Sequence, residues 1–216
     1  MKTDIALQKD VIAELSWDPS VNSARIGVEV EDGIVTLAGH VRSYSEKWGA
    51  ERAACRVLGV KGLAIEISVV LPGSSERNDI DIARAAENIL QWQTYLPQNY
   101  VKVMVENGWI TLTGDVAWHY QRDAAEVAVQ DLMGVTGVSN QITLRPRVDL
   151  KAVKSDIVTA LKRRADADAK SISVEIQGTD VTLTGTVHSL SERDLAKHSA
   201  WNTPGVRNVT NNIIVN

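Results

Sequence analysis

Apolar side chains at Leu7, Val11 and Leu15 recur every four residues, the spacing of one stripe along a helix. Asp18-Pro19 ends that helix, because the residue before a proline avoids helical backbone angles. The period then changes to two. Ile26, Val28 and Val30 are apolar, whereas Arg25, Gly27, Glu29 and Glu31 are not, which predicts a strand with one buried face. Asp32-Gly33 is a two-residue hairpin signal, since both positions accept a positive φ. Val35, Leu37 and Gly39 carry the alternation into a second strand. Ser43-x-x-Glu46 then matches a capping box at a helix start. Behind it, Ala50 and Ala54 form a stripe of small side chains that lets the helix axis approach the sheet. Gly59 is expected to stop this helix as a C′ glycine. Leu63, Ile67 and Val69 complete the unit with a third strand. The predicted order is helix, strand, strand, helix, strand.

That order returns twice. Gly39 is followed by Gly114 and Gly185 at separations of 75 and 71 residues, and the same shifts carry Gly59 to Gly134 and Gly205. They carry the first stripe onto Ile82, Ala86 and Leu90, then onto Val153, Ile157 and Leu161. Around the central glycines, Gly33-Ile-Val-Thr-Leu-Ala-Gly39 becomes Gly108-Trp-Ile-Thr-Leu-Thr-Gly114 and Thr179-Asp-Val-Thr-Leu-Thr-Gly185. Coincidence at so many positions means three copies of one module. The third hairpin reads Gly178-Thr-Asp180, a different turn order, and the middle copy has Trp118-x-x-Gln121, which lacks the capping hydroxyl. The expected fold class is α+β: three tandem αββαβ modules at residues 1–71, 79–145 and 149–216. Each would be a small mixed β-sheet with two helices packed on it. A module of ~65 residues buries only about 60% of its unfolded surface, so the copies are expected to support one another.

Composition narrows the function classes. The chain has 216 residues, 44% hydrophobic and 23% charged, which is the profile of a packed globular protein. A formal net charge of -4 argues against nucleic-acid binding held by bulk charge. The single cysteine, Cys55, excludes an internal disulfide and a multi-cysteine metal site. The opening residues lack the apolar core of a secretory signal, and no stretch has the ~18 apolar residues of a membrane span. From these two features the expectation is a cytoplasmic location with no transmembrane segment.

The phrase Asp32-Gly33-Ile-Val-Thr-Leu-Ala-Gly39, the Ser43/Glu46 helix start, and Gly59-Val60 followed by Leu63, Ile67 and Val69 resemble the BON domain, named for bacterial osmotically inducible and nodulation proteins. The resemblance runs through the chain three times. It implies an αββαβ fold without catalytic residues and a part in envelope maintenance or osmotic-stress survival, often with phospholipid contact. One cytosolic relative with a single such domain is associated with potassium, which implies the alternative of a small-cation sensor.

The residues themselves carry little catalytic signal. None of the four histidines, His40, His119, His188 and His198, recurs at an equivalent position, and no phosphate-binding glycine loop is present. No catalytic residue, metal ligand or cofactor is assigned, and the protein is expected not to be an enzyme. Gly39, Gly59, Gly114, Gly134, Gly185 and Gly205 read as structural positions, with carbonyl coordination of a cation as the sharper option. Aromatic residues concentrate in the middle copy. Trp92, Tyr95, Trp109 and Trp118 suit a lipid interface or a partner protein, and inter-module packing would also use them. Residues 147–216 carry ten basic and eight acidic side chains, including Lys162, Arg163 and Arg164. That cluster would favour a helix C-terminus, or phosphate headgroups at an anionic surface. The expected function is therefore a non-enzymatic, stress-associated binding or scaffold protein.

Overall fold

In a computed structural model of the protein, residues 2–96, 100–144, 172–203 and 206–215 are described. Helix α1, Asp4–Trp17, begins where Thr3 Oγ1 accepts a hydrogen bond from the Ala6 N–H at 3.3 Å. Leu7, Val11 and Leu15 are all buried on one face, and the chain turns extended at Asp18, before Pro19. After a short 3-10 turn at Ser23–Arg25 come β1 (Ile26–Glu31), β2 (Ile34–Val41), α2 (Tyr44–Arg56) and β3 (Gly62–Val69). The second copy repeats the order as α3 (Asp79–Gln91), β4 (Val101–Glu106), β5 (Trp109–Val116), α4 (His119–Gln130) and β6 (Gly137–Leu144). The third contributes β7 (Ile172–Gln177), β8 (Asp180–Val187), α5 (Leu190–Trp201) and β9 (Asn208–Val215). Its first helix, expected around Val153, Ile157 and Leu161, lies outside the described residues, as does Gly205.

Each copy has a separate three-stranded sheet with the second hairpin strand in the centre, in the orders β1-β2-β3, β4-β5-β6 and β7-β8-β9. A two-residue turn forces the hairpin pair to run antiparallel, and a helical crossover returns the third strand parallel. Accordingly β5 pairs antiparallel with β4 (Val103↔Leu112) and parallel with β6 (Leu112↔Asn140). In the third copy β8 pairs antiparallel with β7 (Val174↔Leu183) and parallel with β9 (Leu183↔Asn211). The three modules are mixed α+β sheets, as the patterning predicts.

The turn chemistry follows the residue types. Asp32 and Gly33 have φ of 52° and 82°, and Asn107 and Gly108 have 50° and 76°, the doubly positive pair of a type I′ turn. In the third hairpin the positive angle falls on Gly178 alone, at 65°, as a II′ turn requires. Ser43 and Ser189 accept from the Glu46 and Glu192 N–H groups at 3.1 Å, and each glutamate reaches back to accept from Arg42 or His188. In the middle copy Gln121 Oε1 accepts from Ala117 and Trp118, so the returning half of the box survives without the hydroxyl. One expectation needs correcting. Helices α2 and α4 end at Arg56 and Gln130, three and four residues before Gly59 and Gly134, so neither glycine is a C′ cap. Val57 and Val60, donating to Ala54 and Val57, close successive turns instead, and Gly59 turns the chain within that loop at φ 99°.

Among the described residues, one compact unit takes those within 1–38, 50–66 and 148–216, and a second takes those within 39–49 and 67–147. In the second unit Ile82, Ala86 and Leu90 of α3 meet Ile110, Leu112 and Val116 of β5 and Ala125 and Val129 of α4. Small residues on α4 set that helix close to the sheet. Tyr44 packs against the same core, and Ser45 Oγ donates to Asp131 Oδ1 at 2.6 Å, so the first copy's second helix lends its start to the second copy. In the first unit the Gly59 N–H donates to the His188 carbonyl at 3.0 Å. In both units the corner between a strand and the second helix of one copy meets the end of the second helix of another. Marginal modules thus bury surface against their neighbours.

Candidate functional site

Gly39, Gly114 and Gly185 end the straight part of the central strands at φ 139°, 133° and 139°, a region that side chains other than glycine rarely enter. A Cβ on Gly114 would overlap the Tyr100 carbonyl. The Gly39 and Gly114 carbonyl oxygens accept hydrogen bonds from Ser68 Oγ and Thr143 Oγ1, each at 3.2 Å. Two of the oxygens that a carbonyl-coordinated cation would use are therefore already engaged by hydroxyl donors.

The N-terminal end of the first helix builds a second recurring feature, to which hydrophobic patterning does not reach. Asp4 accepts from the Asp32 and Gly33 N–H groups at 2.9 and 3.0 Å, and Asp79 accepts from those of Asn107 and Gly108, both at 2.9 Å. A carboxylate in the first turn thereby ties the hairpin to the helix while lying at the positive end of its dipole. The signal was present: an aspartate at the same repeat position in two copies, each followed 28 residues later by an Asx-Gly turn.

Around this tie in the first copy lies a cleft of about 650 Å³ lined by Lys2, Thr3, Asp4, Leu7, Asp32, Gly33, Leu58, Gly59, Lys61 and His188. The stem of Lys61 crosses the hairpin turn, since a Cβ on Gly33 would come within 3.0 Å of its Cδ. Lys2 is turned onto Asp10 at 2.7 Å. In the second copy the equivalent glycine, Gly134, is more crowded. There a Cβ on Gly134 would come within 2.8 Å of both Arg77 Cβ and Ile82 Cδ1, whereas on Gly59 it would meet only Leu7 Cδ1, at 3.7 Å.

The expected contact aromatics all lie in the second unit. Trp92 caps the C-terminal end of α3 and is 85% exposed, and Trp17 is exposed to the same 85% at the equivalent end of α1. Tyr95 packs edge-on against Tyr120, with ring centroids 6.4 Å apart. Trp109 opens β5 with its ring over Gly137, where a Cβ would overlap it. Trp118 stands at the N-cap of α4, exposed. The structure thus joins Tyr95 to Tyr120 and Trp109 to the sheet, and leaves Trp92 projecting. Lys162, Arg163 and Arg164 lie outside the described residues.

Among the described residues, no titratable group is an activated nucleophile. Burial, followed by the nearby Glu51 and Asp194 carboxylates, pushes the Cys55 thiol up to about 11, the opposite of what nucleophilic chemistry needs. Hydrogen bonds from the Ser20 and Arg56 side chains hold the Asp18 carboxyl down at about 2. Arg56, raised in turn by its bond to Asp18, bonds Glu14 and Asp18 at 3.0 Å each and so ties the end of α2 to the end of α1. No helix among the described residues is long and apolar enough to cross a membrane.

Comparison with known proteins gives a consistent family signal. The profile of the BON domain matches residues 3–70, 78–146 and 149–216. Osmotically-inducible protein Y of Escherichia coli (strain K12) is 29% identical over 143 residues, which cover 64% of this chain and 71% of that protein. Among solved structures, CdsD, a structural protein of the type III secretion system of Chlamydia trachomatis, aligns over 96% of this chain and 91% of its own at 14% identity and a TM-score of 0.26. Its C-terminal domain aligns over the full length of both chains at 15% identity and a TM-score of 0.27, and likeness at this level carries no argument about fold or role.

Proposed function

Since this chain belongs to the BON domain family, with three tandem copies, we propose that it is a non-enzymatic binding or scaffold protein of osmotic or envelope stress. Its working surface contacts phospholipid headgroups or a partner protein. The stress association rests on the family and on the likeness to an osmotically inducible protein. The surface rests on one observation, the indole of Trp92 projecting 85% exposed from the end of α3. An indole has an apolar body and a polar N–H tip, and it gains most where it is half in water and half in an apolar layer. Tyr95 and Trp118 add further exposed aromatic area in the same unit.

Sedimentation with vesicles of phosphatidylcholine, with and without phosphatidylglycerol, tests the lipid contact. Binding that weakens in Trp92→Ala supports it, and a failure to co-sediment at any salt concentration removes it. Melting in potassium against sodium at equal ionic strength tests the small-cation alternative, because a ligand held only by the folded state raises the midpoint.

A further inference from the structure

Gly59, which lines the cleft of the first copy, is uncrowded while its counterpart in the second copy, Gly134, is crowded, and the side chains around the two differ. Lys2 and Arg77 occupy equivalent positions. Lys2 is drawn away from Gly59 by Asp10, where the second copy has Ala85. Arg77 instead bonds the Ser74 and Glu76 carbonyls and approaches Met133 Sδ at 3.2 Å, and its Cβ lies 2.8 Å from where a Cβ on Gly134 would stand. The cleft is lined in its apolar part by Leu7 and Leu58. Its walls carry Asp32 and Lys61, where the second copy has Asn107 and Thr136. Among the described residues neither Asp32 nor Lys61 has an ion-pair partner, although they line the same cleft with opposite charge. Asp4 and Lys2, the other charged groups there, are already engaged by the hairpin N–H groups and by Asp10.

From this arrangement we infer that the first copy binds a small zwitterion in the cleft. The anion would lie on the Lys61 ammonium and the cation on the Asp32 carboxylate, with an apolar portion against Leu7 and Leu58. A cleft lined by Lys61 and Asp32, neither in an ion pair among the described residues, matches a ligand that carries both charges a few bonds apart. A simple anion would be repelled by Asp32, and a simple cation by Lys61. The volume lies within the few hundred to about 1,000 Å³ usual for small-molecule sites. The chemistry is that of an ammonium–phosphate group, either as a phospholipid headgroup or as a free phosphorylated amino alcohol. The inference goes beyond the aromatic contact surface and does not require it.

The test is amide NMR on the full chain, titrated separately with phosphoethanolamine, with dihexanoyl phosphatidylethanolamine below its micelle concentration, and with dihexanoyl phosphatidylglycerol. Saturable shifts are expected at Asp32, Gly33 and Gly59 and not at Asn107, Gly108 and Gly134. Response to phosphoethanolamine identifies a free solute as sufficient, and response only to the short-chain lipid identifies a headgroup with its chain. Asp32→Asn and Lys61→Thr restore the residues of the second copy, so each should fold, and each should weaken binding about tenfold or more by removing a charge-assisted hydrogen bond. Equal binding of phosphatidylglycerol, which lacks the ammonium, would overturn the inference. So would equal shifts in both copies, wild-type affinity in both variants, or no response to either zwitterion. Vesicle sedimentation of the same variants separates this site from the aromatic surface, since Trp92→Ala should leave phosphoethanolamine or short-chain lipid binding unchanged.

Discussion

Gly114→Ala is the perturbation that most directly probes why the central strand carries a glycine. At φ 133° an alanine enters a region used almost only by glycine, at about 1–3 kcal/mol. In addition its Cβ would overlap the Tyr100 carbonyl, a backbone group that lies beside β4 and has little room to yield. The expected loss is therefore about 3 kcal/mol or more. With a urea slope of about 2 kcal/mol/M, that moves the unfolding midpoint down by roughly 1.5 M. Gly178→Ala supplies the internal control. It also has a positive φ, 65°, but nothing lies within 4 Å of the added Cβ, so only the backbone term remains, about 1–2 kcal/mol. Urea titrations followed by tryptophan fluorescence suit the comparison, because Trp92, Trp109 and Trp118 lie in the second copy with Gly114 and Trp201 lies in the third with Gly178. A Gly114→Ala midpoint no lower than that of Gly178→Ala would refute the steric argument, since of the two only Gly114 carries the carbonyl overlap.

Asp79→Ala should cost about 1–3 kcal/mol by stranding the Asn107 and Gly108 N–H groups, while Asp79→Asn, which keeps an acceptor, should lose less in the same urea assay. For Asp18, a folded-state carboxyl near 2 against an ordinary 3.8 means that ionisation favours the fold above about pH 4, and that this contribution fades as pH falls towards 2. Thermal melts of Asp18→Asn should therefore lie below wild type at pH 7 and converge with it near pH 2; a constant gap would exclude the ionic origin. The Cys55 thiol, pushed up to about 11, should react with iodoacetamide at pH 8 far more slowly than in the urea-unfolded chain, and equal rates would show that the site is open. Ser189→Ala, which removes the acceptor for the Glu192 N–H, should cost about 1 kcal/mol by chemical denaturation.

Patterning recovers the elements because each is set by short-range rules. The stripe of Leu7, Val11 and Leu15 is buried as drawn, and Asp32-Gly33 and Asn107-Gly108 adopt the doubly positive turn that their residue types permit. The misplacement at Gly59 has a local cause. A glycine near a helix end suits either a C′ cap or a later turn, and the choice depended on Val57 and Val60 closing turns first. What patterning could not reach are contacts between distant copies, such as Gly59 with His188 or Ser45 with Asp131. Those pairs do not recur as residue types, because each copy presents a different surface to its neighbour.

The positions that the copies share, here Gly39, Gly114 and Gly185, answer first to the fold in a packed module. The cleft depends on departures instead. Asp10, where the second copy has Ala85, holds the Lys2 ammonium at 2.7 Å, and Lys61 lines the cleft where the second copy has Thr136. Such differences are individually unremarkable in one sequence, where no rule separates them from drift. They acquire meaning once the fold shows Lys2 held away from Gly59 and Arg77 lying over Gly134. In a protein built from one module three times, the common residues maintain the scaffold, and the residues in which the copies differ are where binding specificity can arise.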